Sequence, residues 1–528
     1  NRRIVFALTV ALCAVTNYFF FFGMVVFTVI YFFVRLFSGD IRVKFSRFIV
    51  LVFEAVLGVC LSAFLLLPSI LAILGNERVS SVLLGWNAIM YGKEQIYGNI
   101  IECFFFPPDI PARPVFFPGA NVKWSSLGGW LPLFSMTGVF VWFSQRKNHW
   151  LKRVIGICIF MAMVPFLNSA FYAFNTSYYA RWFYMPILMM CLATVSLTED
   201  DSVNWRSGYK WVLGITLAIS LVIGFFPQED TEHKGKYIFG LYSQSDDGMY
   251  AFRFWITCAV AVLSLVILGM LLKVLKTDHR AFYKGATACV CIIAIVYGNI
   301  FIACGRSHSY EIKEVMIDKL IEGKVDLEKS DDYRIDVYDG VDNTSMYLGY
   351  PGINAFHSVV PASIFEFYDY IGVERSVGSR PDTDQAAIRP LLSVKYLLNR
   401  KDEDAKKFLD ENNETKMPNY EYLKTDGGYY VYENKNYIPF GFSYNYYMSY
   451  AFCDEYSKSS RAAMMLKAIL LTDEQIEKYK DILNNIENLE MPPFGGDETG
   501  TTLSQTDSAM EYDCEQLRET AGYSFKRD

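Results

Sequence analysis

The feature that most constrains this chain is a series of apolar runs about as long as a bilayer is thick. A helix needs about 20 mostly apolar residues to cross the hydrocarbon core. One run, Ile4–Leu36, is too long for one crossing and is interrupted at Asn17-Tyr18, so it can hold two short ones. Spans are predicted at Phe48–Leu74, Ser126–Ser144, Val154–Phe166, Trp182–Leu197, Trp211–Phe226, Phe254–Leu275 and Tyr283–Cys304. This series excludes a secreted soluble enzyme.

The apolar excess is confined to the first part of the chain. Mean hydropathy is +0.18 and 52% of the residues are apolar, but the sequence after residue 304 is rich in Tyr, Asp, Glu and Lys. We therefore predict a transmembrane domain over 1–304, an α+β domain over 305–486, and a polar, disordered or incomplete tail over 487–528. Net charge is −7, and no basic cluster carries interleaved aromatics, so nucleic acid is not expected as a partner.

Positive charges predict the orientation of the spans. Lys and Arg prefer cytoplasmic loops, and here they collect in alternate linkers, while the intervening loops are mixed or acidic. The basic linkers are Arg35–Arg47, Arg146–Arg153, Arg206–Lys210 and Lys273–Lys284. About nine crossings follow from this alternation, and they place the α+β domain outside the cytoplasm. The predicted fold class is a polytopic α-helical membrane protein with a C-terminal extracytoplasmic α+β domain.

One predicted outer loop, residues 75–125, is unusually long and contains five prolines and the aromatic run Phe104-Phe105-Phe106. Long ordered loops are often functional. Its apolar patches predict segments that lie along the membrane surface. The alternative is a proline-rich connector.

The region after residue 305 contains helix and strand patterns. Strands are predicted at Tyr333–Tyr338 and Leu392–Leu398, and a hairpin is predicted from Tyr420–Leu423 and Tyr429–Tyr432 around the turn Asp426-Gly427-Gly428. Helices are predicted at Ile312–Glu322, Ser459–Leu471 and Asp473–Ile486. The last of these begins after Thr472, with Gln475 three residues on, which is the pattern of a capping box.

Most cysteines lie in apolar runs, where they act as small apolar side chains. Cys453 and Cys514 lie in the polar part and are either a disulfide or two free thiols. No Cys/His spacing suits a metal site, and there is no P-loop, H-E-x-x-H or G-x-S-x-G motif. A divalent cation held by carboxylates remains open.

Charged residues within or beside spans are candidates for function because they are costly there. Glu54, inside a span, is either functional or a paired or snorkelling carboxylate. Arg181 lies at the mouth of a span, where a guanidinium can bind a phosphate bidentately or act as an interfacial anchor beside Trp182. Arg306 admits the same two interpretations. In the long loop, Glu102, Asp109, Arg113 and Lys123 are either reactive groups or solvated charges.

Several motifs in order resemble the bacterial YfhO-type membrane proteins. The resemblance runs from about residue 1 to about residue 470 and rests on NYFFFFGM (Asn17–Met24), YFFVRL (Tyr31–Leu36), AFLLLP (Ala63–Pro68), Arg181-Trp182 and LLSVKYLL (Leu391–Leu398). This family is similar to the GT-C glycosyltransferases. The resemblance implies a GT-C-like helical bundle in a bacterial plasma membrane that moves a sugar from a polyprenyl-phosphate donor to an anionic envelope polymer such as lipoteichoic acid.

The resemblance also implies where the chemistry lies. GT-C enzymes carry an essential acidic residue in the first outer loop. Because this chain begins at Asn1 rather than Met, we expect that residue upstream of Asn1. The remaining donor-phosphate contacts are then expected at Arg181, Tyr178 and Tyr179, with Lys123 and Arg113 as helpers. Asp109 and Glu102 are candidates to serve the acceptor or a divalent cation.

Two other classes fit the same pattern. One is a flippase or exporter of a lipid-linked sugar, although transporters usually show internal repeats, and we find none. The other is a non-catalytic envelope scaffold that binds polymer or protein through the tyrosines of its outer domain.

Overall fold

The chain divides into two compact units. A helical unit comprises Asn1–Leu71 and Val79–His308, and a sheet unit comprises Ala72–Arg78 and Ser309–Asp528. The structure is a computed structural model that describes residues 2–74, 82–108, 116–117, 125–175, 178–230, 235–242, 249–307, 324–357, 360–374, 378–401, 406–488 and 507–521.

The described residues of the helical unit form helices, connecting turns and one short antiparallel ribbon, β1 (Pro227–Glu229) with β2 (Tyr237–Phe239). The helices are α1 (Arg2–Thr16), α2 (Tyr18–Phe37), α3 (Phe45–Leu61), α4 (Ala63–Leu74), α5 (Trp86–Ile89), α6 (Gln95–Glu102), α7 (Thr137–Gln145), α8 (Trp150–Met163), α9 (Pro165–Ser169), α10 (Tyr184–Thr198), α11 (Trp205–Phe225), α12 (Met249–Leu275) and α13 (His279–Ser307).

Within the described residues, five helices are long and apolar enough to cross a membrane, or seven if each of two bent pairs counts as one span. The five are α2, α10 with the turn before it, α11, α12 and α13. The pair α3–α4 bends by 76°, and α8 bends by 108° against Pro165–Tyr172. Among the described residues, α1 is an apolar helix shorter than a full span.

The predicted span Ser126–Ser144 is wrong, because helix forms there only in α7, which has nine residues. Nine residues rise about 14 Å, roughly half the thickness of a hydrocarbon core. The residues before α7 cannot continue the helix, since Leu133 and Ser135 adopt positive φ angles of 70° and 46°.

The predicted interruption of the first apolar run is present at Asn17. Its side chain accepts hydrogen bonds from the N–H groups of Phe19 and Phe20 at 3.1 and 3.2 Å and so caps α2. Before the break, α1 packs along α3, where the buried Glu54 lies 3.4 Å from Nε of Arg3. Glu54 is thus a paired carboxylate, in agreement with the second of its two interpretations.

Close helix packing in this unit depends on glycine at position 138. A Cβ placed on Gly138 of α7 would lie 2.2 Å from Oγ1 of Thr194 on α10. Thr194 is itself buried and donates to the carbonyl of Met190, so it has little room to move. The missing side chain therefore lets α7 and α10 approach each other.

Replacing Gly138 by alanine is expected to destabilise the helical unit by about 1–3 kcal/mol, the usual cost of overpacking. Thermal unfolding of the full chain in detergent measures the change. The matched control is Gly156→Ala on α8, where nothing lies within 4 Å of the added Cβ. Equal unfolding temperatures for the two variants would contradict the close contact.

The sheet unit is built on a four-stranded sheet with the order β3-β6-β8-β7 and a three-stranded sheet with the order β10-β9-β11. The strands are β3 (Arg334–Tyr338), β4 (Ala355–Phe356), β5 (Gly378–Ser379), β6 (Val394–Arg400), β7 (Tyr420–Asp426), β8 (Tyr429–Asn434), β9 (Tyr446–Ser449), β10 (Ile469–Leu471) and β11 (Asn484–Asn485). The helices are α14 (Thr344–Leu348), α15 (Ala362–Tyr370), α16 (Ile388–Leu391), α17 (Tyr450–Cys453), α18 (Arg461–Lys467), α19 (Asp473–Tyr479) and α20 (Asp507–Ala521).

The central sheet matches the predicted pattern. The two predicted strands correspond to β3 and β6, which pair in parallel. The predicted hairpin is the antiparallel pair of β7 and β8, joined at Gly427-Gly428. Both glycines have positive φ, the region that a tight turn requires and that glycine adopts without strain.

Two predicted helices are shorter in the structure. The helix predicted to Leu471 ends at Lys467, because Ala468 is extended and Ile469–Leu471 pairs with β9 as a strand. The helix predicted to Ile486 ends at Tyr479, before the strand β11. Its predicted capping box is present, with both hydrogen bonds formed between Thr472 and Gln475. The predicted helix Ile312–Glu322 lies outside the described residues.

Within the tail predicted from residue 487, the described residues include α20, which packs on the sheet unit. Cys514 and Leu517, three residues apart on this helix, are buried, and Asp513 lies 2.7 Å from Nζ of Lys467. Helical spacing of apolar residues in a polar segment is the physical reason. Cys453 and Cys514 are both buried, and the structure does not join these two described residues by a disulfide.

Candidate functional site

Arg181 begins a candidate membrane span, Arg181–Thr198, and its side chain is exposed. Its guanidinium lies over two aromatic rings, 4.7 Å from the centroid of Tyr179 and 5.6 Å from that of Phe19. In the part of the chain that the structure describes, Arg181 forms no ion pair with a carboxylate. The positive charge is therefore positioned by aromatic rings and is not neutralised by an acidic side chain there.

Both rings under Arg181 are positioned by local structure. Phe19 is the second residue of α2, and its backbone N–H donates to the capping side chain of Asn17. Tyr179 packs edge-on against Tyr172 with centroids 5.4 Å apart, and its backbone N–H donates to the Tyr172 hydroxyl at 3.1 Å. The break at Asn17 therefore contributes directly to the geometry around Arg181.

A buried polar network holds the segment next to Arg181. The indole Nε1 of Trp182 donates to Oδ1 of Asn168 at 2.8 Å, and Nδ2 of Asn168 donates to the Tyr172 hydroxyl. The Trp182 ring stacks on Phe171 with centroids 3.8 Å apart. Because all these groups are buried, their hydrogen bonds fix the turn that presents Arg181.

Asn168→Ala is expected to lower the free energy of unfolding by about 1–3 kcal/mol, because it leaves the buried Trp182 N–H without an acceptor. Thermal unfolding in detergent and the near-ultraviolet circular dichroism of the tryptophans measure the effect. Asn299→Ala is the matched control, since that exposed amide only donates to the carbonyl of Ile295 within its own helix. A loss no larger than the control's would show that the network does not support the segment.

Tyr178 has a different environment from Tyr179. Its ring packs edge-on against Tyr91, with centroids 5.0 Å apart, and its hydroxyl is buried with no hydrogen-bond partner among the described residues. Burial raises the pKa of Tyr178 well above its usual value, so the phenol stays neutral. The three residues predicted to contact the donor phosphate, Arg181, Tyr178 and Tyr179, therefore have different surroundings. Tyr179 contacts Arg181, whereas the Tyr178 hydroxyl lies in the interior, where its O–H can donate a hydrogen bond.

Glu102 is the last residue of α6 and is buried, with 8% of its surface exposed. The aromatic run that follows it, Phe104-Phe105-Phe106, is buried as well, so these rings are not among the apolar patches of the long loop that are available to a membrane surface. Phe104 stacks on Phe183, with centroids 5.8 Å apart, and so joins this run to the turn that holds Arg181. The run is a packing element because its rings fill the interior of the unit.

Exposed apolar side chains occur earlier in the long loop. Leu84 and Trp86 are 78% and 77% exposed, which agrees with an interfacial segment beside α5.

Asp109, Arg113 and Lys123 lie outside the described residues, as does the side chain of Arg306. Among the described residues, no three His, Cys, Asp or Glu side chains form a group that could hold a metal ion.

The arrangement at Arg181 suits a phosphate at headgroup depth. A guanidinium presents its donors in a planar fork that matches two phosphate oxygens. The sequence indicates Arg181 by itself, but it does not show the contribution of Phe19, which lies far away in the chain, or of Asn168, which lies 14 residues before Trp182. Sequence reasoning did not single out Arg253, a buried residue in the first turns of α12, just before the predicted start of that span at Phe254.

The comparisons with known proteins give one finding that covers nearly the whole chain. The family model described as bacterial membrane protein YfhO matches residues 1–515. No curated protein and no solved structure matches the chain.

Proposed function

Because the chain belongs to the YfhO family of bacterial membrane proteins, we propose that it is an envelope glycosyltransferase. It takes a sugar from a polyprenyl-phosphate donor and adds it to an anionic cell-envelope polymer, such as lipoteichoic acid, on the outer face of the plasma membrane. The family and the long apolar helices already make it a multi-pass membrane protein. The donor, the acceptor and the transfer itself are the proposed part.

The observation that carries this proposal is the exposed guanidinium of Arg181 at the start of a membrane-spanning helix. A lipid-linked donor places its phosphate at headgroup depth and its chain in the bilayer. Arg181 offers a positive charge at such a boundary. Its guanidinium lies over the rings of Phe19 and Tyr179 and forms no ion pair with an acidic side chain among the described residues. This combination suits the leaving lipid phosphate.

The transfer needs two kinds of group. A carboxylate takes the proton from the acceptor hydroxyl as that oxygen bonds to the sugar, and cations stabilise the departing lipid phosphate. Arg181 is assigned to the phosphate, with Lys123 and Arg113 as proposed helpers. The base is not assigned to a described residue; Asp109 stays a candidate, and the burial of Glu102 favours a supporting role for it over acceptor contact.

The outer-face reaction is proposed on the predicted orientation, in which Lys and Arg collect in cytoplasmic linkers. The basic linkers predicted to be cytoplasmic contain the ion pairs Arg35–Asp40 and Arg146–Asp200. Arg181 lies at the opposite end of its span from Asp200. By the same alternation, the sheet unit is proposed to be extracytoplasmic.

A second candidate function is a flippase for a lipid-linked sugar. The observation in its favour is the pair of sharp helix breaks, 76° between α3 and α4 and 108° after α8. Transporters build substrate sites from such discontinuous helices. It ranks second because the buried charge near the first break, Glu54, is already paired with Arg3.

Reconstitution of the full-length protein in vesicles with a labelled polyprenyl-phosphate sugar and an anionic acceptor polymer separates the functions. We expect label to appear in the polymer. Movement of the lipid across the bilayer without sugar transfer would refute the enzyme and support the flippase. If neither lipid movement nor sugar transfer is observed, the proposed enzyme is refuted and a binding scaffold is the function that remains.

A further inference from the structure

Two cations of the sheet unit meet at Tyr437, in the segment that follows β8. Nζ of Lys395 on β6 lies 5.7 Å from the centroid of the Tyr437 ring. Nε of Arg518 on α20 donates to the backbone carbonyl of Tyr437 at 2.8 Å. Two elements that lie far apart in sequence therefore bring positive charge to one residue.

A third cation lies at the same segment, three residues further along. The guanidinium of Arg334 on β3 lies 4.3 Å from the centroid of the Phe440 ring. Tyr437 and Phe440 are anchored to the same atom, because the hydroxyl of the first and the N–H of the second donate to the carbonyl of Asp332 at 2.9 and 3.3 Å. The cationic patch is defined as Arg334, Lys395 and Arg518 with the rings of Tyr437 and Phe440.

The position of Lys395 depends on an irregularity in the pairing of β3 with β6. The register skips Lys395, because Val394 and Tyr396 pair with consecutive residues of β3. Such an extra residue re-aims a side chain relative to the regular alternation of a strand. The ammonium also lies 5.5 Å from the ring centroid of Tyr333 and 5.1 Å from that of Tyr396. Aromatic faces attract its charge, yet its three N–H groups have no hydrogen-bond acceptor in the described part of the chain.

The cations of the patch differ from others in the unit in lacking acidic partners. None of the three forms an ion pair with a carboxylate among the described residues. Lys458, by contrast, lies 3.2 Å from Asp369. Asp332 borders the patch, but its carboxylate accepts from the Ser330 hydroxyl at 2.9 Å. On a chain of net charge −7, cations grouped in this way form a local attraction for an anion.

We propose that the cationic patch binds an anionic polymer whose charges are phosphodiesters along a polyol chain. Every member of the patch is partly or fully exposed, so a large ligand can approach it. The guanidiniums of Arg334 and Arg518 keep N–H donors beyond those that bind backbone carbonyls, and their planar fork matches two phosphate oxygens. The cations lie along a segment of chain, which suits the successive charges of a polymer. The rings of Tyr437 and Phe440 offer apolar contact to the carbon groups between the phosphates.

This site deepens the proposed function, because it gives an anionic acceptor a place on the sheet unit, and only the role as acceptor rests on that function. Polymer binding is measured without a sugar donor. A protein that binds the polymer but transfers no sugar would refute the enzyme and keep the patch. A protein that transfers sugar without binding at the patch would refute the patch and keep the enzyme.

The test uses the full-length protein in nanodiscs of phosphatidylcholine, which carries no net charge. Labelled poly(glycerol phosphate) is titrated at several salt concentrations, with neutral polyglycerol and polyglutamate of equal length as comparison polymers. Lys395→Met removes one charge and keeps an apolar stem against the tyrosines, and Arg518→Gln removes a second, exposed charge. Lys458→Gln is the matched control, because it removes an exposed cation that is already paired with a carboxylate.

We expect the wild type and Lys458→Gln to bind poly(glycerol phosphate) equally, and neutral polyglycerol about tenfold or more weakly. Lys395→Met and Arg518→Gln should each weaken binding by about tenfold. Each should also reduce the slope of log affinity against log salt by about one, a change that a purely structural role would not produce.

Two results overturn the proposal. Polyglutamate that binds as tightly as poly(glycerol phosphate) would contradict the phosphodiester ligand. Wild-type affinity and salt slope in both patch variants would show that the patch is not the site. If Arg518→Gln fails to fold, the affinity and salt slope of Lys395→Met decide by the same criteria.

Discussion

Arg389→Ala is expected to lower the free energy of unfolding of the sheet unit by about 3–5 kcal/mol, because it leaves a buried carboxylate without its cation. Arg389 on α16 and Asp336 on β3 are both nearly inaccessible, with side-chain exposures of 4% and 3%, and Nε lies 3.0 Å from Oδ2. The guanidinium also donates to three backbone carbonyls, those of Pro381, Asp382 and Gln385.

The other carboxylate oxygen of Asp336 also accepts two hydrogen bonds. Its Oδ1 accepts from the N–H of Val337 and from Nδ2 of Asn354, both at 2.7 Å. The loop after β3, the turn before α16 and the sheet therefore meet at one ion pair. Removing Arg389 breaks that junction and leaves the negative charge in the interior.

Amide hydrogen exchange of β3 and β6 in the full-length protein measures the loss. The matched control is Arg380→Ala, whose exposed pair with Asp342 should be worth less than about 1 kcal/mol. The double variant Asp336→Leu/Arg389→Met should recover much of the stability, since no charge is left buried. Similar exchange rates in Arg389→Ala and Arg380→Ala would contradict a structural role for the buried pair.

Arg181→Gln is expected to reduce sugar transfer by about 10²–10³-fold. The variant lacks the positively charged hydrogen-bond donor that stabilises the departing lipid phosphate in the transition state. Arg181→Lys should recover only part of the rate, since an ammonium cannot reproduce the planar fork. The measurement is the rate of label transfer in vesicles at saturating donor, compared at equal amounts of inserted protein.

Arg206→Gln is the control for that experiment. It removes an exposed arginine of the same unit from a linker predicted to face the cytoplasm. Its transfer rate should equal that of the wild type. If Arg181→Gln and Arg206→Gln transfer equally well, Arg181 does not contact the donor.

The sequence predicts the parts of the fold that depend on local chemistry. The break at Asn17, the Thr472 capping box and the hairpin at Gly427-Gly428 each follow from a few neighbouring residues, and each is present. Hydropathy is a weaker guide. The run from Ser126 is apolar enough for a span, but positive φ angles at Leu133 and Ser135 keep its first half out of a helix.

The candidate site is only partly predictable for the same reason. Arg181 stands out because a cation precedes an apolar run. Its contact with Phe19 depends on packing between segments that lie far apart in sequence, and the support from Asn168 depends on a bend of the chain within 14 residues that periodicity does not show. Periodicity cannot show which apolar helices meet.

The donor site is tested most directly by photo-crosslinking of a polyprenyl phosphate that carries a diazirine in its first isoprene unit, using the full-length protein in nanodiscs. We expect the label on peptides that contain Phe19 or Tyr179. Its yield should fall about tenfold or more in Arg181→Gln and stay unchanged in Arg206→Gln. Labelling of other segments, or an equal yield in both variants, would contradict a lipid-phosphate site at Arg181.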